Sequence, residues 1–393
     1  MDRVDVAVIG AGPAGSSTAY RLAAAGLSVM LIDRARFPRD KPCGGGVTAR
    51  GLALIPMSID SVVEATIDCV SIRLRYGAEV EHTNPAPYVL MTQRRRLDHL
   101  LVQGAQEQGA LLREGVRVRQ IDRTPGGWIV RGEGFQVVAD VVVGADGANG
   151  ISTRALGLGG AVEYGVALEG NLPYAAATED YSQRAVIELG TVPGGYGWVF
   201  PKGDHANFGV GGWDSEGPRL REHLDRLCDA YGISAQQLES VRGWRLPVRT
   251  NGTMLATGRA LVVGDAAGMV DPLSGDGMYE AFFTALHASV ALTDLLAGRA
   301  SNLLAYEHTV RDAFMRHSAV TLGAKFAADR WPGLAFAVAR SPLGRSGLRR
   351  YLQGRSGAPT ANRYIASGWQ AAETAVRRVT QRRTSAASAS RAE

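Results

Sequence analysis

The chain contains few cysteines and no long uncharged hydrophobic run. Among its 393 residues the cysteines are Cys43, Cys69 and Cys228. Their number and spacing exclude a disulfide framework and a CxxC metal or redox pair, so we predict no metal site. The most apolar long segment, Ala281 to Leu296, contains His287 and Asp294, which argues against a membrane-spanning helix. A cytoplasmic protein is the expectation.

The excess of positive over negative charge lies entirely in the C-terminal part of the chain. Residues 301–393 hold 15 Lys and Arg against 5 Asp and Glu, whereas the first 300 residues hold 28 against 33. Residues 340–355 mix arginines with apolar residues, so both peripheral contact with an anionic membrane and plain solubility are open interpretations. Residues 384–393 are predicted to be a disordered polar tail, and no nucleic-acid partner is predicted.

The N-terminal segment predicts a βαβ unit that binds a dinucleotide. An apolar run over residues 4–9 leads into GxGxxG and a helical pattern, and a second apolar run ends at Asp33. In such units the glycines permit a tight turn and close approach of a pyrophosphate, and the acid binds a ribose hydroxyl. The motif alone does not separate NAD from FAD. The predicted contacts are Gly10, Gly12, Pro13, Ala14, Gly15, Asp33 and Arg34.

A second turn, GDAAGMVDPLSGDGM at residues 264–278, indicates FAD. It joins an apolar run to a long helical pattern, and a helix N-terminus there would stabilise negative charge on the pyrimidine edge of a reduced flavin. Asp265 is placed to bind the ribitol, whereas an ordinary turn capped by Asp276 is the alternative. Two such turns indicate a ligand with two ends. The predicted contacts are Gly264, Asp265, Pro272, Gly275, Gly277 and Met278.

These patterns predict an α/β fold with a discontinuous Rossmann-like FAD-binding lobe. Between residues 166 and 213 they change to strands separated by glycine and proline turns, with YGWVFP and NFGVGGW paired across KGDHA. This change predicts an antiparallel-sheet substrate lobe, followed by helices. The predicted FAD-binding lobe covers 1–75, 92–160 and 255–300, the substrate lobe 76–91 and 161–254, and the helical C-terminal extension 301–383.

The order of GxGxxG, GADG at 144–147 and GDAAG resembles FAD-dependent oxidoreductases of the aromatic hydroxylase type. KPCGGGVT at 41–48 and YGWVFPKGDHANFGVG at 196–211 resemble the geranylgeranyl reductase family within that fold. The middle motif departs from the related DGxxSxxR pattern, with Gly150 at the serine position and Arg154 one residue late.

The resemblance implies that the PCGGG loop lies against the flavin and that the YxWxFP strand lines the substrate cavity. The RxxLD element would bring Arg94 to the cofactor. Further FAD contacts implied in this way are Cys43, Gly44, Gly45, Arg94 and Asp146. The implied cavity walls are Gly45, Gly46, Phe200 and Pro201.

Saturation of an isolated double bond requires a proton as well as a hydride, because the alkene has no carbonyl to hold charge. Cys43 is the predicted proton donor, with Tyr196 or water as alternatives and inert packing as the non-catalytic interpretation. Tyr196, Trp198 and Phe200 share one strand face, which lines either a plain core or the substrate cavity. The predicted catalytic residues are Cys43, Tyr196 and Trp198.

The sequence therefore predicts an FAD-dependent reductase of isoprenoid C=C bonds on a lipid, prenyl diphosphate or prenylquinone. The electron donor would be NAD(P)H or a small redox protein, since no second dinucleotide-binding pattern is present. The resemblance of the fold to flavin halogenases implies a lysine near the flavin, and no lysine lies between Lys41 and Lys202, so a halogenase is disfavoured. A monooxygenase of an apolar or aromatic molecule is the main alternative, ahead of a flavoprotein acting on a protein partner. The aromatic residues expected to enclose the substrate are Phe314, Phe326, Trp331 and Phe336.

Overall fold

A computed structural model of the chain describes residues 2–160, 163–177, 179–182, 184–248 and 253–353. The predicted tail at 384–393, and residues 354–383 of the predicted helical extension, lie outside the described residues.

Most of the described strands follow one another in runs of two or more between helices, and the last four elements are helices. The strands are β1 Asp2–Ile9, β2 Val29–Ile32, β3 Gly46–Thr48, β4 Val63–Ile67, β5 Cys69–Leu74, β6 Glu79–Thr83, β7 Val89–Thr92, β8 Leu111–Arg113, β9 Val118–Thr124, β10 Gly127–Gly132, β11 Phe135–Gly144, β12 Glu163–Pro173, β13 Ala185–Leu189, β14 Tyr196–Pro201, β15 His205–Trp213, β16 Glu239–Val248, β17 Ala256–Thr257 and β18 Ala260–Val262. The α-helices are α1 Pro13–Ala24, α2 Ala49–Leu52, α3 Arg94–Glu107, α4 Ser152–Ala155, α5 Leu220–Ala230, α6 Met278–Leu296, α7 Leu304–Arg330, α8 Pro332–Arg340 and α9 Pro342–Gln353.

The first sheet contains the predicted βαβ unit. Its order is β17-β18-β11-β1-β2-β8; β10 pairs antiparallel with β11, and β9 pairs antiparallel with β10. Strand β1 runs parallel to both β2 and β11, and its central residues Val6, Ala7 and Val8 are fully buried. Helix α1 starts at Pro13, a favoured first helical residue, directly after the glycine turn. The sequence interpretation of this unit is confirmed.

Strand β11 runs without interruption over Phe135–Gly144, although its residues show two burial patterns. Its first half alternates between buried and partly exposed residues and pairs with β10, whereas its last four residues are all buried between parallel neighbours. The two burial patterns arise because the pairing partners change along one continuous strand.

The second sheet has the order β16-β12-β15-β14-β13-β5-β6, and a small third sheet has the order β3-β7-β4. The predicted hairpin is confirmed: β14 and β15 pair antiparallel, with Trp198 opposite Gly209. Strand β5, which the predicted division assigned to the FAD-binding lobe, instead joins the second sheet through parallel pairing with β13. A boundary at residue 75 would separate β5 from both β6 and β13.

The C-terminal part of the described chain is helical from Met278 to Gln353 apart from short connections. Helix α6 packs against α1, whereas α8 and α9 pack near β5 and β13 of the second sheet through Phe336, Ala339, Leu348 and Leu352. Within the described ranges, none of the helices is both long enough and apolar enough to cross a membrane.

Candidate functional site

A cavity of about 700 Å³ lies where the carboxyl ends of β1, β2 and β18 face the second sheet. All predicted catalytic, FAD-binding and cavity-wall residues except Gly15 and Pro201 line this cavity. They are Gly10, Gly12, Pro13, Ala14, Asp33, Arg34, Cys43, Gly44, Gly45, Gly46, Arg94, Asp146, Tyr196, Trp198, Phe200, Gly264, Asp265, Pro272, Gly275, Gly277 and Met278. Pro201 is buried at the end of β14.

The glycine turn after β1 has the shape that a pyrophosphate needs. A Cβ on Gly12 would meet no atom closer than 3.7 Å, so this backbone is open to a ligand. A Cβ on Gly15 would lie 1.9 Å from the carbonyl oxygen of Gly10, which explains why Gly15 packs the helix on the strand instead of lining the cavity. The Asp33 carboxylate accepts hydrogen bonds from the N–H groups of Ala11 at 2.7 Å and Ala35 at 2.8 Å.

Two arginines share one carboxylate beside this turn. The Arg94 guanidinium donates to both oxygens of Asp98 at 2.7 and 2.8 Å, and Arg39 approaches Asp98 at 2.8 Å. A terminal nitrogen of Arg94 lies 4.0 Å from the Cβ position of Gly12. The side chains of Arg39, Arg94 and Asp98 together carry a net positive charge next to the open backbone of Gly12. This charge suits a phosphate group. The RxxLD pattern contains Arg94 and Asp98, whereas no local pattern indicated Arg39.

The GDAAG turn lies at the other end of the cavity. Gly264 to Ala267 form one short 3-10 turn, and α6 starts later, at Met278. Asp276 accepts hydrogen bonds from the N–H groups of Met278 at 2.8 Å and Tyr279 at 3.4 Å, so the capping weighed as the alternative is present while the turn still lines the cavity. The Asp265 carboxylate accepts from Lys41 at 3.1 Å.

Asp146 explains why this chain has glycine where the related pattern has serine. Its carboxylate accepts hydrogen bonds from the N–H groups of Ile151 at 2.7 Å and Ser152 at 3.0 Å, at the start of α4. A Cβ on Gly150 would lie 2.0 Å from the carboxyl carbon of Asp146. The carboxylate therefore occupies the space that a serine side chain would need.

The PCGGG loop lies directly under the aromatic strand face. A Cβ on Gly44 would be 3.0 Å from the Phe200 ring, so the ring packs on the loop backbone. The rings of Tyr196 and Trp198 are 6.0 Å apart, and those of Trp198 and Phe200 are 6.2 Å apart and stacked. The sequence left a plain core or a cavity wall open for these rings; all three line the cavity.

Tyr196 is a constrained candidate for proton donation. Its hydroxyl donates a hydrogen bond to the carbonyl oxygen of Ser274, and burial raises the pKa of the phenol. The proton of Tyr196 is therefore held by a protein carbonyl and does not point freely into the cavity. The Cys43 sulfur accepts a hydrogen bond from the Gly45 N–H at 3.4 Å, and its own proton has no such acceptor among the described hydrogen bonds.

Two buried charged residues that contact this loop were missed by the sequence analysis. Glu169 accepts a hydrogen bond from the Cys43 N–H at 2.7 Å, and Lys202 donates to the carbonyl oxygens of Gly44 and Thr92. A signal was present, since Glu169 interrupts an apolar strand and Lys202 directly follows the YGWVFP sequence. Charged residues at such positions are rarely buried without a specific partner.

The cavity continues from Phe200 along an apolar wall that ends under α9. The wall residues beyond the aromatic strand are Val70, Val89, Met91, Ala185, Ile187, Leu348 and Leu352.

The expected enclosure by four C-terminal aromatics is wrong, since none of them lines the cavity. Phe314 packs on Phe283 at 4.8 Å, Phe326 packs on Trp213 at 5.2 Å, and Trp331 is 56% exposed. Phe336 is buried between α8 and the sheet. Helix α9 provides the enclosure instead.

Comparisons with known proteins agree with this geometry. The family described as FAD binding domain matches residues 3–319. A Mycobacterium tuberculosis protein named menaquinone reductase is 33% identical over 301 residues, covering 70% of this chain and 73% of that protein. A Rhodobacter capsulatus protein named geranylgeranyl diphosphate reductase is 31% identical over 314 residues, covering 77% and 78%.

Solved structures share the fold at lower identity. A geranylgeranyl bacteriochlorophyll reductase-like protein from Thermoplasma acidophilum superposes with a TM-score of 0.76 and 21% identity, covering 96% of both chains. A flavin-dependent brominase gives a TM-score of 0.75 at 19% identity, covering 97% of this chain and 99% of that one. The two glycine turns, the open backbone at Gly12 and the sequence matches agree. The chain is therefore an FAD-binding oxidoreductase that belongs to the geranylgeranyl reductase family.

Proposed function

We propose that this protein saturates C=C bonds of an isoprenoid chain, carried on a lipid, a prenyl diphosphate or a prenylquinone. The observation that carries the proposal is that Cys43 and the Tyr196–Trp198–Phe200 face line one cavity, which continues as an apolar wall to α9. A long, unbranched or methyl-branched hydrocarbon fits such a wall because it needs no hydrogen-bond partners. The relatives named for geranylgeranyl diphosphate and menaquinone support the same substrate class.

One group of residues would bind FAD, and a second group would act on the double bond. Gly12, Arg39 and Arg94 would hold the pyrophosphate of FAD, with Asp33 at the adenosine ribose and Asp265 at the ribitol. When bound and reduced, FAD supplies the hydride. The protein's own residues supply the other needs of the reaction at the double bond.

The protein must place the double bond and provide a proton to its second carbon. The rings of Trp198 and Phe200 would orient the chain and exclude water. The Cys43 sulfur would hold the proton, since the Tyr196 hydroxyl is committed to the Ser274 carbonyl. These roles for Cys43, Tyr196 and Trp198 are part of the proposal.

The electron donor and the membrane belong to the same proposal. NAD(P)H or a small redox protein would reduce the flavin. Helices α8 and α9 would contact an anionic membrane surface, because Leu334 and Val338 are 61% and 50% exposed and Leu343 is 73% exposed among arginines. The opposite side of α9 lines the cavity, so a lipid-borne substrate would have a short path to it.

Mass spectrometry of prenyl lipids and quinones, from cells with and without the gene, tests this function. We expect products heavier by two hydrogen atoms for each reduced bond only where the gene is present. A gain of one oxygen atom would favour the monooxygenase alternative. Identical lipid profiles in both cell types would count against both activities.

A further inference from the structure

Two buried side chains of opposite charge hold the cysteine loop from the second sheet. The Glu169 carboxylate, on β12, accepts the hydrogen bond of the Cys43 backbone N–H at 2.7 Å. The Lys202 ammonium, just after β14, donates to the carbonyl oxygens of Gly44 and Thr92, the latter at 2.9 Å. Both side chains are nearly inaccessible, with Glu169 6% and Lys202 4% exposed. Consecutive residues of the loop are thus held at an N–H and at a carbonyl group.

The loop is fitted to this pair of side chains. Gly45 has a φ of +77°, and a Cβ there would lie 1.8 Å from the Lys202 nitrogen and 2.1 Å from the Thr92 carbonyl oxygen. Any larger residue would push Lys202 away or move the loop. Thr92 also donates its side-chain hydroxyl to the Gly45 carbonyl oxygen at 3.0 Å. The backbone path next to Cys43 is therefore determined from several sides.

One oxygen of Glu169 remains without a hydrogen bond among the described residues. Oε1 binds the Cys43 N–H, whereas Oε2 is buried and has no hydrogen-bond partner there. Burial raises the pKa of this carboxyl to about 7, against the opposing influence of Lys202, the Cys43 N–H and Asn207. Asp40, which pairs with Arg242 at 3.2 Å, adds to the rise. The carboxyl can thus gain or lose a proton near neutral pH.

We infer that Glu169 and Lys202 form a two-sided clamp that sets the position of the Cys43–Gly45 loop, and that Glu169 is a positioning residue for the Cys43 thiol. The clamp acts through the backbone: Glu169 holds the residue that carries the thiol, and Lys202 holds the next carbonyl. This inference rests on the proposed function only where it takes Cys43 as the reactive group. The contacts of Glu169 and Lys202 with the loop do not depend on the reaction.

Alkylation of Cys43 in the FAD-loaded protein tests the clamp without any substrate. The rate of carbamidomethylation by iodoacetamide is followed by peptide mass spectrometry, which separates Cys43 from Cys69 and Cys228. In Glu169→Ala the N–H of Cys43 loses its acceptor, and we expect labelling about fivefold faster than in the wild type. In Glu169→Gln the amide oxygen still accepts that hydrogen bond, so the rate should stay within about twofold at pH 6.

A pH series distinguishes positioning from mere structural support. Between about pH 6 and 8 the ratio of labelling rates in the wild type and Glu169→Gln should change, because the Glu169 carboxyl changes charge in this range and the glutamine amide does not. Glu188→Gln is the matched control: Glu188 is also buried and accepts a hydrogen bond from the Tyr231 hydroxyl at 2.8 Å, but the described bonds of its carboxylate, to Tyr231, Tyr76 and Arg73, lie outside the cysteine loop. It should leave Cys43 labelling and its pH dependence unchanged.

Each outcome bears on the clamp. Equal labelling of Cys43 in wild type and Glu169→Ala, with equal FAD content, would overturn it. If Glu169→Ala does not fold, Lys202→Met and the pH series of Glu169→Gln replace it. The clamp would then be overturned if Lys202→Met labels at the wild-type rate and the ratio of the wild-type and Glu169→Gln rates does not change with pH. If no prenyl reduction is found but Cys43 labelling changes as expected, the proposed function is contradicted and the clamp is supported.

Discussion

The hydroxyl of Tyr351 in α9 donates a hydrogen bond to the Asp271 carboxylate at 3.0 Å. The same hydroxyl is 2.8 Å from the Ser274 hydroxyl, so α9 is joined to the loop that precedes α6. The Arg50 guanidinium lies between the rings of Tyr351 and Tyr279, at 4.4 and 4.3 Å from their centres. The helix that closes the apolar end of the cavity is therefore connected to the turn that would hold the flavin.

Replacing Tyr351 by Phe should loosen this connection without creating a large void. We expect a loss of about 1 kcal/mol in the free energy of unfolding and FAD affinity lower by a few-fold, since one buried hydrogen bond to a charged group is lost. Urea denaturation and fluorescence titration with FAD measure the two effects. Tyr181→Phe is the control, because its hydroxyl bonds the Tyr231 carbonyl oxygen at 3.4 Å in the core of the second sheet. Equal FAD affinity in both variants would show that α9 and the turn are independent.

Two alanine substitutions in the same glycine motif should separate cofactor binding from folding. Gly12→Ala adds a methyl group to open space, so we expect a folded protein with FAD affinity reduced by about tenfold or more. Gly15→Ala places its methyl group 1.9 Å from the Gly10 carbonyl oxygen, so we expect the apoprotein to lose about 2 kcal/mol or more of stability. Apoprotein denaturation and FAD titration of both variants are the measurements. An unstable Gly12→Ala apoprotein would contradict the assignment.

Stability of the protein should fall with rising pH because of Glu169. Its pKa is about 7 in the folded protein against an ordinary value of 4.5, so the folded state binds more protons between these values. The favourable contribution of Glu169 to the free energy of unfolding is complete below about pH 4.5 and is lost as the pH rises through 7. Relative to Glu169→Gln, the wild type should lose about 2.5 kcal/mol between pH 5 and 8, measured by urea denaturation at both values. Parallel pH curves would mean that the carboxyl keeps its ordinary pKa.

Acidic substitutions on the outer side of α8 and α9 test the proposed membrane contact. Leu334→Glu and Leu343→Glu place negative charge among arginines at strongly exposed positions, and we expect binding to anionic phospholipid vesicles to weaken by about tenfold. Leu111→Glu is the control, since Leu111 is 53% exposed on β8 at the edge of the first sheet. Sedimentation with vesicles at low and high salt gives the affinities. No binding of the wild type, or equal loss in the control, would remove α8 and α9 from this role.

Local patterns predicted the elements that depend on local sequence. The β1–α1–β2 unit and the β14–β15 hairpin followed from periodicity and from glycines at turns, and the loop and strand motifs pointed to residues that do line one cavity. The place of α9 at the end of that cavity was not predicted, because its apolar residues look the same whether they cover a membrane or a protein wall.

Long-range pairing was beyond the reach of the sequence. Strand β5 joins β13 more than one hundred residues later, and Glu169 binds the Cys43 N–H across a separation of 126 residues. Periodicity describes which face of a strand is buried but not which strand lies beside it. The partners of Glu169 and Lys202 in the cysteine loop therefore became evident only from the folded structure.

Anaerobic turnover by the purified FAD-loaded protein, reduced with dithionite and supplied with a prenylquinone or geranylgeranyl diphosphate, tests the central claim most directly. The proposal predicts a product heavier by two hydrogen atoms per saturated bond, formed without oxygen. It predicts a rate lower by about a hundredfold in Cys43→Ala with FAD still bound. Full activity of Cys43→Ala would transfer proton donation to another group. No reduced product without oxygen, and an oxygenated product when air is admitted, would contradict the reductase assignment.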